Sequence, residues 1–175
     1  MEGVEACVEV FTTASQARLY LNDSLVGEKP VVQNVADFVV PYVPGTLKAV
    51  TTDAQGVEHE SVLTSASGRL QITPTAHRTN YRVGDLIYLD IDLTDASGRI
   101  ESNADRQLTV EVEGGELLGF GSALPRTEDR FNTGRYTTCY GRSQAVVRAD
   151  VPGVVRVVIA GEGVETVVHR VVVGG

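Results

Sequence analysis

Tryptophan is absent from the 175 residues, and only two lysines occur, Lys29 and Lys48. Any flat stacking surface must therefore come from tyrosine or phenylalanine, and aromatics make up 6% of the chain. Cysteine is nearly absent too. Cys7 and Cys139 lie far apart with no metal-ligand spacing around either, so both read as free thiols and neither a disulfide nor a metal site is expected. Positive charge is scarce. Lys and Arg total 15 against 23 Asp and Glu, giving a net charge of -8 and a sequence pI near 4.8. Such a surface repels phosphate backbones and argues against nucleic acid as a partner. No apolar run approaches the ~18 residues of a membrane span, and residues 1–4 run into a strand-like stretch without a basic or apolar leader. Helical periodicity is missing throughout, as are a G-x-S-x-G elbow, a telling Cys–His pair and a Gly-rich phosphate loop. No catalytic residue and no cofactor is expected from this chain.

What is present is a period of two. Glu5 to Phe11 alternates polar and apolar residues, as a half-buried strand does. Ala17 to Leu21 follows, with Asn22-Asp23 as a turn. Phe38 to Val40, Thr46 to Thr52 and Val57 to Leu63 continue the set, separated by Pro44-Gly45 and Asp53 to Gly56. Around Thr64 to Gly68 the chain becomes small and polar, which marks a domain boundary. Both lysines precede that point, and every basic residue after it other than histidine is arginine. The strand pattern then restarts. Asp85 to Leu93 alternates almost perfectly, and Gln107 to Glu113, Glu116 to Phe120, Gln144 to Ala149, Val154 to Ala160 and Val164 to Val173 complete it. Many short strands punctuated by turns indicate β-sandwiches. The expectation is an all-β chain of two tandem immunoglobulin-like β-sandwich domains, residues 1–66 and 67–175.

The stretch 121–143 breaks the pattern and reads as one long polar loop, about twice the usual length. It carries Arg126, Arg130, Arg135, Arg142, Glu128, Phe131, Tyr136 and Tyr140, and these eight are the candidate contacts for a sugar or a neighbouring domain. Aromatic faces and bidentate arginines suit either. A structured loop closing the end of its own core fits the same residues. Asp90 and Asp92 share one face of a strand, about 7 Å apart, and read as its solvated side, as do Glu111 and Glu113. The three histidines, His59, His77 and His169, each stand without a companion and read as surface or packing residues.

Several stretches together resemble glycoside hydrolase family 2. Ala17 to Gly27 (ARLYLNDSLVG) is similar to the "VELFLNGKSLG" strand-turn-strand of an Ig-like domain that follows the catalytic barrel in galactosidases of that family. Phe38 to Val50 (FVVPYVPGTLKAV) resembles the same domain's "F-x-VPYxPGTLKAV" segment. Gly119 to Pro125, Thr127-Glu128, Phe131, Tyr140 to Arg142 and Ala145 to Ala149 resemble the next module, a C-terminal Ig-like domain called domain 5. Family members commonly carry glycine where Asp23 stands, which leaves a different turn type open here. Pro44-Gly45 suits a type II turn. The resemblance implies a non-catalytic C-terminal accessory region of a bacterial β-galactosidase-type enzyme of carbohydrate metabolism, with structural or oligomer- and domain-packing work. Its implied partners are the catalytic barrel of the same polypeptide and another subunit of a homo-oligomer. The family's catalytic glutamates lie on a barrel, and nothing here resembles one. Two other functions remain open: a carbohydrate-binding module with weak glycan affinity, although such sites usually display tryptophan, and an Ig-like spacer of a surface adhesin.

Overall fold

The computed structural model describes residues 3–175, and among these every regular element is a β-strand. The chain divides after Ala66 into two compact units.

Unit 1 contains β1 (Glu5–Phe11), β2 (Gln16–Leu21), β3 (Ser24–Pro30), β4 (Val35–Pro41), β5 (Thr46–Thr52) and β6 (Glu58–Thr64). β1 pairs antiparallel with β4, and the other four form a sheet in the order β3-β2-β5-β6. The inward residues of β1, β2 and β4 meet in a small core of Val10, Ala17, Leu19, Ala36, Phe38 and Val40. The two-residue hairpin between β2 and β3 puts Asn22 at φ 48° and Asp23 at φ 64°. Both central residues are left-handed, as a type I′ turn requires, so aspartate occupies the position without changing the turn. Gly45 takes φ 138°, further round than the +80° of a type II turn.

Unit 2 contains β7 (Gln71–Ala76), β8 (Tyr81–Arg82), β9 (Leu86–Thr94), β10 (Gln107–Glu113), β11 (Glu116–Gly121), β12 (Arg135–Thr137), β13 (Arg142–Arg148), β14 (Gly153–Gly161) and β15 (Val167–Gly174). One sheet runs β11-β13-β9-β7 and the other β12-β10-β14-β15-β8. Early strands beside β13 and β11 in one sheet, with β10, β14 and β15 in the other, is the layout of immunoglobulin-like sandwiches. The alternation of β9 translates directly into burial: Ile87, Leu89, Ile91 and Leu93 are fully buried. They pack against Leu108, Val110, Val155, Val157 and Ile159 from the facing sheet. Two strands escape the sequence pattern. β8 has two residues and pairs parallel with the end of β15, and β12 has three and pairs with β10.

Candidate functional site

The 121–143 stretch is not a free loop. β11 runs through Gly121, β12 occupies Arg135–Thr137, and β13 begins at Arg142. Asp129 ties the segment down. Its Oδ2 accepts from the Thr137 backbone N–H at 2.9 Å and the Thr137 hydroxyl at 2.7 Å, and the Phe120 N–H donates to the Phe131 carbonyl at 2.8 Å. The Thr137 hydroxyl, first among several donors, holds the Asp129 carboxyl below the usual aspartate range.

This folding separates the eight nominated residues. Tyr136 is a correction: at 1% exposure it is a core residue, because the β10–β12 pairing turns its ring inward. Arg126, Glu128, Arg130 and Arg135 are exposed, and their side chains make no hydrogen bond or ion pair among the described residues. Only Phe131, Tyr140 and Arg142 come together. They line a groove of about 920 Å³ on the outer face of the β11-β13-β9-β7 sheet.

The groove follows from the register. Asp90 and Asp92 of β9 stand opposite Gln144 and Arg142 of β13, and Gly121 of β11 stands opposite Gln144. These residues share one face of the sheet. Along β11 that face carries Gly119 and Gly121, so no side chain of the strand itself stands there. A β-bulge between Leu117 and Gly119 re-aims this edge. Phe131 rises beside it, 59% exposed, with its ring stacked on Tyr136 at a centroid distance of 5.0 Å. A Cβ added at Gly121 would lie 2.2 Å from the Phe131 ring, so the glycine makes room for it.

Tyr140 closes one end. It sits at φ 52° in a two-residue turn with Gly141 at φ 71°, bracketed by reciprocal backbone hydrogen bonds between Cys139 and Arg142. The Tyr140 N–H also donates to Asp105 at 2.9 Å, and Gly141 lies against the Glu101 carbonyl, where a Cβ would come within 2.5 Å. The tyrosine ring is nevertheless 71% exposed. A bulky residue in the left-handed region is strained by roughly 1–3 kcal/mol, and here it gains no core burial in return.

The polar floor is unevenly satisfied. Asp90 is committed: Gln144 Nε2 donates to it at 2.8 Å, and His77 Nε2 lies 2.9 Å away. Asp92 is half-buried, and its carboxylate makes no hydrogen bond among the described residues. Burial raises its pKa, Arg142 opposes that, and Asp90 adds to it. The Arg142 guanidinium likewise has no hydrogen bond or ion pair among the described residues. The two aspartates expected on a solvated face thus line a recess. No group of three or more His, Cys, Asp or Glu among the described residues is arranged to hold a metal ion.

Residues 70–169, more than half of the chain, match the model of the glycoside hydrolase family 2 C-terminal domain 5. Residues 3–60 match a domain of unknown function, DUF4982. The beta-galactosidase BoGH2A of Bacteroides ovatus is 23% identical over 167 residues, which is 92% of this chain and 20% of that protein. A glycosyl hydrolase family 2 member from Bacteroides cellulosilyticus superposes with a TM-score of 0.87 at 26% identity, over 99% of this chain and 23% of its own. A family 2 beta-glucuronidase shares the fold, with a TM-score of 0.82 at 20% identity over 99% of this chain and 19% of its own. The chain spans about a fifth of the length of these relatives.

Proposed function

Since the chain belongs to glycoside hydrolase family 2 through its C-terminal domain 5, we propose that it is a non-catalytic accessory region of a larger β-galactosidase-type glycosidase. The supporting observation is the family match over residues 70–169. The site chemistry agrees with it. A retaining glycosidase needs two carboxyls about 5 Å apart, one kept protonated as the acid and the other free to attack. The two carboxylates that line the recess, Asp90 and Asp92, stand two residues apart on β9, about 7 Å, and Asp90 already accepts from Gln144 and lies against His77. Bond cleavage is therefore assigned to a barrel elsewhere in the same polypeptide, and this region serves packing against that barrel or another subunit.

Unit 1 has a surface suited to packing. Every residue of β6 is exposed, Val62 and Leu63 included, and β6 is a sheet edge paired on one side only. Uncovered edges of this kind are normally protected by a neighbour or by charge.

Deleting residues 67–175 from the full polypeptide tests the reading. The expected result is a lower melting temperature or an altered oligomeric state, with kcat on a small chromogenic galactoside within about twofold of the intact protein. Loss of kcat in a folded, correctly assembled variant would place catalytic groups in this region. Unchanged stability and assembly would remove the packing role.

A further inference from the structure

We propose that the groove between β11, β13 and β9 is a binding site for a short neutral oligosaccharide, with sugar rings stacked on Tyr140 and Phe131 and hydroxyls held by Asp90, Asp92, Arg142 and Gln144. The choice of sugar as ligand class rests on the glycosidase reading above; the existence of the site rests on the geometry.

Four features converge. The recess, about 920 Å³, falls in the range of roughly 300–1,000 Å³ typical of small-molecule sites. Its floor carries two glycines on the outward face of β11: Gly119 leaves the sheet low, and Gly121 lets the Phe131 ring lie close against the strand, beside a bulge at this sheet edge. Its two aromatic walls are uncovered, one with a packed ring and the other on a fixed backbone. Phe131 is pinned by stacking on a core tyrosine, and Tyr140 is held in a left-handed turn by Asp105 and by the clamped Gly141. Strain retained for an exposed ring points to a use for that ring. Finally, a half-buried carboxylate (Asp92) faces the exposed guanidinium of Arg142 across adjacent strands, close enough to feel its charge, yet neither side chain makes a hydrogen bond or ion pair among the described residues. The half-buried Asp92 carboxylate costs free energy to desolvate without a hydrogen-bond donor.

The ligand class follows from these groups. A carbohydrate hydroxyl donates and accepts at once, so a pair of them can donate to Asp92 while accepting from Arg142 or Gln144. The pyranose C–H face suits tyrosine and phenylalanine rings in the absence of tryptophan. Two aspartates in the recess and a net charge of -8 oppose uronates, sulfated sugars and phosphates. A purely apolar ligand would strip water from Asp92 and Arg142 and give nothing back.

The test is a titration of the 175-residue chain, isotope-labelled and followed by amide shifts, with lactose, cellobiose and digalacturonic acid as probes. Saturable shifts are expected for a neutral disaccharide, clustered on Gly119, Gly121, Phe131, Tyr140 and Arg142, and none for the acidic one. Tyr140→Gly suits the left-handed backbone and should leave the fold intact while weakening binding about tenfold. Asp92→Asn keeps the shape and should weaken it as well. No saturable shift with either neutral sugar, stronger binding of digalacturonic acid, or equal affinity in both variants would overturn the proposal. A silent titration removes the groove site alone, since the accessory role is decided by the deletion in the full polypeptide.

Discussion

The side-chain amide of Asn22 reaches from the β2–β3 hairpin to the turn before β5. Its Oδ1 accepts from the Thr46 N–H at 2.8 Å, and its Nδ2 donates to the Pro44 carbonyl at 3.2 Å. Gly45 completes the arrangement, because a Cβ there would lie 1.9 Å from the same Oδ1. The Leu21-Asn22-Asp23 and Pro44-Gly45-Thr46 motifs are thus two halves of one lock, which explains why they occur together. Asn22→Ala should cost about 1 kcal/mol, the usual net worth of such hydrogen bonds. Gly45→Ala should cost more, since it combines a left-handed φ with a clash against the amide. Denaturant midpoints of the two variants, followed by a probe in unit 1, give the comparison. A Gly45→Ala change milder than Asn22→Ala would dismantle the lock. At this scale the sequence was readable for the turns themselves but not for their coupling, because residues 22 and 45 meet only after β2 and β5 have paired.

The end of β9 shows how one carboxylate organises a whole element. Asp95 is buried and accepts backbone N–H bonds from Ser67 at 3.1 Å, Ser97 at 2.8 Å and Arg99 at 3.0 Å. It closes the turn after β9 and fixes the first residue of unit 2 beside it. The Arg99 N–H is the foremost of the donors that lower its pKa, outweighing the opposing effect of burial. An aspartate that ionises more readily folded than unfolded contributes stability that is fully present above the unfolded pKa of about 3.9. That contribution is lost as pH falls through the lower folded value. Asp95→Asn should therefore destabilise unit 2 at pH 7 and flatten its loss of stability below about pH 4. Melts of both proteins across that range decide it, and parallel curves would show that Asp95 is not the titrating group. Element legibility followed length and periodicity. β9, with nine alternating residues, was plain from the sequence, whereas β8 and β12 have too few residues to show a period and exist because β15 and β10 offer them an edge. Tyr136 is illegible for the same reason: without β12 nothing in the sequence says which way its ring points. The groove was half visible. Composition marks Phe131, Tyr140 and Arg142, while the alternation of β9 reads Asp90 and Asp92 as a solvated face. The pairing that turns that face into a floor joins residues 50 or more positions apart.

For the whole chain, the two hydrophobic cores set the order of events on heating. Unit 2 encloses a cluster of nineteen buried residues contributed by both of its sheets, and unit 1 encloses six. Fully burying a large aliphatic side chain contributes roughly 1.5–3 kcal/mol. A unit of about 60 residues hides a smaller share of its unfolded surface than one of about 110. Unit 1 also leaves β6 open to solvent along its length. Its stability in isolation from the rest of a polypeptide should be the marginal one. Calorimetry of the 175-residue chain should thus show two transitions, the earlier with the smaller enthalpy. Hydrogen exchange should be fastest in β6 and slowest in β9, β13 and β14, whose inward residues are fully buried. Asn22→Ala should move only the first transition and Asp95→Asn only the second, because the hydrogen bonds of each lie within one unit. A single transition shifted by both variants would instead make the two cores one cooperative unit, and the boundary at Ala66 would then be a feature of shape and not of stability.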